Sequence, residues 1–412
     1  MTKQNEQHDS TLASIATFEG SKYPGFIDEA LQGYFNERVN KSWQGGHILK
    51  GQKPSANALI LSNNDYLNIS HHPWILNAQV QAMQDYGNGQ MQSPVFLSDD
   101  SLFTACEQRF AHFLHYPASL LAQSGWCANI GLIQSVAKPN LPVYLDFYTH
   151  MSFWEGAKAA RAKPIPFQHN SVESLRKRLL DNGPGIIAVD SIYSTTGTIS
   201  PLAQYVKIAQ EFDCLLIVDE SHSLGTHGPA GSGLVAELGL SNQVHIITAS
   251  LAKAFSGRGG LIAANRELIE LIRYTALPII FSSALTPHDL AGFLASLAII
   301  SHEKWRREKL HKNATYLREE LLNCGFNLLN SNSQIIPLLA GNEANIIWLR
   351  SQLEHADIHG AVFCAPATPK NKTLIRLSIN TNHQQEQLMQ IVDCLKKSSL
   401  KKPDLPLFST RS

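Results

Sequence analysis

The chain has 412 residues, 44% apolar and 17% charged, with 34 basic and 34 acidic side chains. That length exceeds one small core and points to a large domain with a smaller one beside it. The zero formal net charge gives no bulk pull toward nucleic acid or a membrane surface, although a local basic patch for an anionic substrate stays open. Six cysteines (Cys106, Cys127, Cys214, Cys324, Cys364, Cys394) occur without a Cys-x-x-Cys pair. Neither a zinc site nor a disulfide framework is therefore expected, and the usage fits a reducing cytosol.

In chain order, residues 1–20 are polar and lack an apolar h-region, so they read as a disordered tail and not as a signal peptide. From about 75 to 285, short apolar runs alternate with helical patterns. The strand candidates are 119–123, 143–145, 186–190, 215–219 and 245–249, each unbroken and followed by polar or glycine residues. Strands buried on both faces of a parallel sheet read this way. Between them, Leu202, Tyr205, Val206, Ala209 and Phe212 share one helical face, as a crossover helix requires. Strand–helix alternation of this kind predicts an α/β fold.

Beyond 288 the pattern changes to a long helix over 288–324, a helix over 344–355, a strand over 375–379 and a last helix over 384–395. Thr381 and Asn382 are the expected caps of that last helix. The expected organisation is an N-terminal tail and arm over 1–74, a large domain over 75–287 and a small C-terminal α+β domain over 288–412. No apolar run approaches the roughly 18 residues of a membrane span, so a cytoplasmic enzyme without a span is expected.

The residues with chemical potential gather after predicted strands, where open α/β sheets bind ligands. LLIVDESHSLGTHGPAGSG puts Asp219 at a strand end, with His222 three residues on. A carboxylate there either keeps a pyridine nitrogen protonated or caps a helix. HIITASLAKAFSGRGG puts Lys253 between an apolar strand and a glycine cluster. Burial there would lower its pKa and make it an amine nucleophile; a surface lysine on a loop is the plain alternative. Thr248 and Ser250 either bind a phosphate or cap the turn. In VDSIYSTTGTISPL, Asp190, Ser191 and Ser194 lie at a strand end, where the hydroxyls either meet a ring oxygen or make ordinary turn bonds. Ser124-Gly125-Trp126 opens a helix with free backbone N–H groups, a phosphate cradle. His150 follows another strand, either stacking on an aromatic ring or sitting in the core. The order of these groups along the sheet is that of fold-type I pyridoxal-5′-phosphate (PLP) enzymes.

In this order the sequence resembles the α-oxoamine synthases. The matching stretches are SNNDYLNISHHP, AQSGWCANIG, DFYTHMSFWEGAKAARA, FQHNS, VDSIYSTTGTISPL, VDESHSLGTHGPAGSG, TASLAKAF, FSSALTP and IRLSINTNH, in order over most of 60–385. DFYTHMSFWEGA, VDSIYST, VDESHSLGTHGP and PATPKNK look closest to the bacterial α-hydroxyketone autoinducer synthases. The resemblance implies a fold-type I PLP-dependent transferase: a mainly parallel central sheet in a large PLP-binding domain plus a smaller C-terminal α+β domain.

It also implies roles. Lys253 would hold PLP as a Schiff base and later act as general base. Asp219 would pair with the pyridine nitrogen, His222 and Ser194 would meet the ring oxygen, and His150 would stack on the ring. Ser124, Gly125, Trp126, Thr248 and Ser250 would hold the phosphate, and Ser282 and Ser283 would reach it from the partner subunit of a homodimer with shared active sites. Asn64 and Arg376 would hold the amino-acid carboxylate, for which arginine's bidentate fork is suited. The implied reaction joins an amino acid, such as 2-aminobutyrate or S-adenosylmethionine, to a medium- or long-chain acyl-CoA.

Two departures stand out. GNGQMQSPVFLSDD replaces a glycine-rich GSGGSR-like segment, and Ala365 stands where relatives often carry arginine. Both argue against glycine as donor and against the heme and biotin enzymes. The alternatives within the family are an 8-amino-7-oxononanoate synthase or a glycine C-acyltransferase. A non-catalytic sensing or scaffold domain, or an ordinary aminotransferase, are the readings outside it.

Overall fold

The computed structural model describes residues 23–43 and 45–409; the expected tail over 1–20 lies outside them. The described residues fall into two compact units, one ending at Lys50 and one beginning at Gly51. Within the first, helix Gly25–Gln32 runs into the π-helical segment Gly33–Ser42, and the Arg38 guanidinium lies 4.9 Å from the Trp43 ring centroid.

The second unit contains two sheets. Strands β2 (Ala118–Ala122), β3 (Pro142–Asp146), β4 (Lys163–Phe167), β5 (Ile186–Asp190), β6 (Leu215–Asp219), β7 (Ile246–Ser250) and β8 (Gly260–Ala264) form a seven-stranded sheet ordered β2-β8-β7-β6-β5-β3-β4. The pairings from β7 through β4 are parallel, and β8 runs antiparallel to both of its neighbours. This is the mainly parallel α/β sheet that the apolar runs predict. β5 is buried at every position, because helices leave the central strands no solvent-facing side.

The second sheet has four strands in the order β1-β10-β11-β9. They are β1 (Leu59–Leu61), β9 (Ile335–Gly341), β10 (Ile358–Phe363) and β11 (Thr373–Ser378). β1 pairs parallel with β10, so the chain before the large sheet contributes to a sheet otherwise built from its C-terminal third.

Several elements differ from expectation. β4 escapes periodicity because KPIPF carries two prolines; it survives at the sheet edge, where a missing N–H costs least. The helix expected over 288–324 is two helices, Pro287–His302 and Lys304–Asn323, broken at Glu303 (φ −93°, ψ 61°). The first is apolar and packs on helix Pro73–Tyr86. Glu303 holds the joint, 2.7 Å from Arg306 and 3.5 Å from His72. The last helix runs Gln385–Lys401 and is capped by Gln384 in a box with Gln387. Thr381 is not its cap, because that hydroxyl donates to the Leu67 carbonyl instead.

Candidate active site

The parallel strands end together, and their C-terminal residues open on a cavity of about 340 Å³. β6 delivers Asp219 and the turn holding Ser221 and His222; β7 delivers Ser250 and, three residues on, Lys253. β5 delivers Asp190, and the loop after β3 delivers His150. Ser124, Gly125 and Trp126 reach the same cavity from the start of helix Gly125–Val136.

That start is tightly built. Ser124 caps the helix by accepting from Cys127 N–H at 3.1 Å. A Cβ on Gly125 would stand 2.8 Å from Ser250 Cβ, and one on Gly260 would stand 2.1 Å from the Ser124 carbonyl oxygen. Only glycine lets the helix press onto the ends of β7 and β8. The first N–H groups of a helix have no intrahelical acceptor, and here they face an anion-sized space with the Ser250 hydroxyl beside them. The Ser221 hydroxyl accepts from Ser250 N–H at 2.7 Å, which fastens the two strand ends to each other.

Asp219 is buried and doubly held. Its Oδ2 accepts from Asn129 Nδ2 at 2.9 Å and its Oδ1 from Ser221 N–H at 2.8 Å. Asn129 also donates to Ser152 Oγ at 2.9 Å, and Ser152 Oγ lies 2.7 Å from His150 Nδ1. Ser152 N–H points at the same nitrogen at 3.4 Å, so His150 Nδ1 is an acceptor and its proton sits on Nε2. One asparagine thus fixes both the carboxylate and the imidazole.

Lys253 is half-buried. Desolvation pushes its ammonium down to about 8, against the pull of Asp219 and Asp190. Burial lowers His150, with Asp219 opposing and Lys253 assisting. It drives His222 well below the usual imidazole range, with help from Lys253 and Arg376. Both histidines are therefore neutral near pH 7. Burial next to Asp219 raises Asp190 well above the carboxylate range, and its Oδ1 accepts from His150 N–H at 3.2 Å.

Arg376, on β11, donates to Asn64 Oδ1 at 2.9 Å and to the Ser194 carbonyl at 3.1 Å. Its Nε is buried without a partner, and the Phe363 ring lies 4.7 Å from its guanidinium carbon. Asn64 Oδ1 is 3.3 Å from the Tyr66 hydroxyl, which is 2.7 Å from His222 Nδ1. The expected substrate pair Asn64–Arg376 is thereby linked to His222.

Of the expected set, Ser124, Gly125, Trp126, His150, Asp219, His222, Ser250 and Lys253 line one cavity. Thr248 lies in β7, buried, with Oγ1 unpartnered. Ser194 meets Arg376 through its carbonyl. Ser282 and Ser283 do not line this cavity; Ser283 offers its carbonyl to Gln123 Nε2 at 2.9 Å. Sequence reasoning missed Tyr66, Asn129, Ser152 and Ser221. Asn129 did leave a signal, as a polar residue in the otherwise apolar helix start GWCANIGLI.

The chain matches the profile of the family described as aminotransferase class I and II over residues 56–395. It is 44% identical over 359 residues to the CAI-1 autoinducer synthase of Vibrio campbellii, covering 87% of this chain and 91% of the relative. It is 30% identical over 338 residues to the serine palmitoyltransferase of Sphingobacterium spiritivorum, covering 81% and 85%. Among solved structures, a serine palmitoyltransferase from S. paucimobilis with PLP and myriocin bound aligns at TM-score 0.83 and 25% identity, over 90% of this chain and 98% of that one. The 8-amino-7-oxononanoate synthase of Francisella tularensis aligns at TM-score 0.75 and 25% identity, over 85% and 100%.

Fold and cavity together define a fold-type I PLP-dependent transferase. The chain belongs to the aminotransferase class I and II family and is a PLP-dependent acyltransferase of the α-oxoamine synthase type. The residues present fit that cofactor. The orphaned Thr248 hydroxyl and the Gly125 cradle suit an anion, and the buried Asp219 suits a cationic ring nitrogen.

Among the described residues no helix is long and apolar enough to cross a membrane, and no cluster of side chains could hold a metal ion.

Proposed function

We propose that this chain condenses an α-amino acid with a medium- or long-chain acyl-CoA, with loss of CO₂, to give an α-aminoketone precursor of an α-hydroxyketone quorum-sensing signal. The observation that carries the chemistry is the single cavity in which Lys253 and Asp219 meet the open start of helix Gly125–Val136. The 44% identity to a CAI-1 autoinducer synthase supports the finer reading of the product. 2-Aminobutyrate or S-adenosylmethionine is the proposed donor.

When bound, PLP supplies an electron sink for the carbon whose bond is broken. Lys253 would hold the cofactor through its amine and, once released, take the Cα proton as general base; a pKa near 8 suits that exchange at neutral pH. Asp219, fixed by Asn129 and Ser221, would bond the pyridine N–H and keep it protonated. His150 would pack on the ring face with its tautomer fixed by Ser152. His222 would meet the ring oxygen, with Ser194 nearby. Ser124, Gly125, Trp126, Thr248 and Ser250 would hold the phosphate.

Arg376 is a buried cation with no acidic partner among the described residues, which supports its role, with Asn64, in binding the amino-acid carboxylate. Ser282 and Ser283 lie away from this chain's cavity beside the 82% exposed Phe281. That position supports a homodimer in which they complete the partner's phosphate site.

Mass spectrometry of the products from a panel of amino acids and acyl-CoAs, run with an assay for CoA release, tests the proposal. Long-chain aminoketones from 2-aminobutyrate or S-adenosylmethionine are expected. A glycine or alanine product would mark a glycine C-acyltransferase or an 8-amino-7-oxononanoate synthase. Keto acid formed without CoA release would overturn the acyl-transfer reading.

A further inference from the structure

The two cavity histidines are held by different means. His150 has its acceptor nitrogen fixed by Ser152 on its own helix. His222 depends on a residue more than 150 positions earlier in the chain. Its Nδ1 lies 2.7 Å from the hydroxyl of Tyr66, a tyrosine buried just beyond β1. His222 Nε2 has no protein partner among the described residues, and the ring lines the cavity.

The phenol has one proton and two acceptors within reach. Asn64 Oδ1 is the farther, at 3.3 Å, and already accepts from Arg376 at 2.9 Å. The imidazole contact is the shorter, at 2.7 Å, and its rival acceptor is already occupied, which directs the phenol proton toward the imidazole. A phenolate–imidazolium pair is not an alternative. Burial pushes the phenol up to about 12 and drives the imidazole far down, so both groups are neutral at working pH. The backbone is fixed at both ends of the contact: Thr381 N–H donates to the Tyr66 carbonyl at 3.0 Å, and Gln334 Nε2 to the His222 carbonyl at 2.6 Å.

We infer that Tyr66 is a positioning residue that locks His222 in the Nε2–H tautomer, so that the cavity presents a hydrogen-bond donor to an anionic oxygen of its ligand. The inference deepens the proposed cofactor site and rests on that reading. A neutral histidine is both donor and acceptor, and the partner of one nitrogen decides what the other offers. Without the phenol the ring would be free to turn its lone pair toward a phenolate-type oxygen and repel it.

Tyr66→Phe removes one oxygen and keeps the ring that fills the core. The direct test is a long-range proton–nitrogen spectrum of ¹⁵N-histidine-labelled holoenzyme, with His222 assigned by its loss in His222→Gln. The wild type is expected to carry its proton on Nε2 alone, and Tyr66→Phe to lose that single tautomer. The PLP dissociation constant should rise about tenfold in Tyr66→Phe, the cost of one oriented hydrogen bond. In the His222→Gln background the same change should alter it by less than about twofold, since Tyr66 acts through His222. A wild-type proton on Nδ1, or Tyr66→Phe and His222→Gln penalties that multiply, would overturn the inference. A wild-type chain that takes up no PLP sinks the cofactor reading instead, and the tautomer measured on the protein alone still decides the role of Tyr66.

Discussion

The floor of the cavity and the Arg376 corner, which lies outside the cavity lining and is linked to it through Asn64, Tyr66 and His222, are built on opposite plans. On the floor, three titratable side chains already have protein partners: Asp219 has Asn129 and Ser221, His150 has Ser152, and His222 has Tyr66. At the corner, Arg376 spends two donors on an amide and a carbonyl and leaves its buried Nε unpartnered. A pre-paired floor needs no reorganisation when charge develops above it. A buried guanidinium without a carboxylate is in deficit, and an incoming carboxylate removes the deficit. On the proposed function, the difference teaches that the floor suits a resident group and the corner a visitor.

The harshest way to break this contrast is Lys253→Ala. The floor loses the amine of its lining lysine, and turnover should fall by about four orders of magnitude. Borohydride reduction followed by peptide mapping should find a pyridoxyl label on Lys253 in the wild type and none in the variant. Turnover at even a tenth of the wild-type rate would end the case for Lys253. Next in size is Arg376→Ala, which empties the corner and leaves the floor standing. The amino-acid KM should rise roughly a hundredfold, the scale of truncating one side of a buried charged pair, while the acyl-CoA KM stays within about twofold. Equal rises in both would show that the corner is not reserved for the carboxylate.

Asn129→Ala sharpens the comparison, because it spares every group proposed to touch the cofactor. Asp219 would lose one of two donors and His150 would lose its indirect anchor. A drop in kcat of about tenfold is expected, the worth of one hydrogen bond to a charged acceptor, and Asn129→Asp should not rescue it. An unchanged kcat would mean that the floor does not depend on its second layer.

This layer is also where sequence reading ran out. Lys253, Asp219, His222 and Ser124 were legible because each follows an apolar strand, and a parallel sheet gathers such residues at one edge. Tyr66, Asn129 and Ser152 act through other side chains from different parts of the chain, and no spacing rule joins position 66 to position 222. In the fold, the central strands were legible because they are apolar throughout. The proline-bearing β4 was not, and neither was the helix break at Glu303, whose side chain lies beside the sequence-distant His72.

The smallest expected effect tests the floor through acidity. Lys253 stands at about 8, against an ordinary 10.5, because burial disfavours its charged form. The neutral amine is the reactive form, so capture of PLP by the cofactor-free protein should quicken as pH rises. The neutral fraction climbs from about a tenth at pH 7 to about half at pH 8 and about nine-tenths at pH 9. Capture should therefore rise about fivefold over the first step and less than twofold over the second, measured by visible absorbance beside a lysine peptide. The peptide amine, still far below its own midpoint, gains about tenfold at each step, and the comparison cancels the titration of PLP itself. A protein that tracked the peptide across both steps would hold a solvated lysine at this position, and the floor would then differ from the corner in hydrogen bonding but not in dryness.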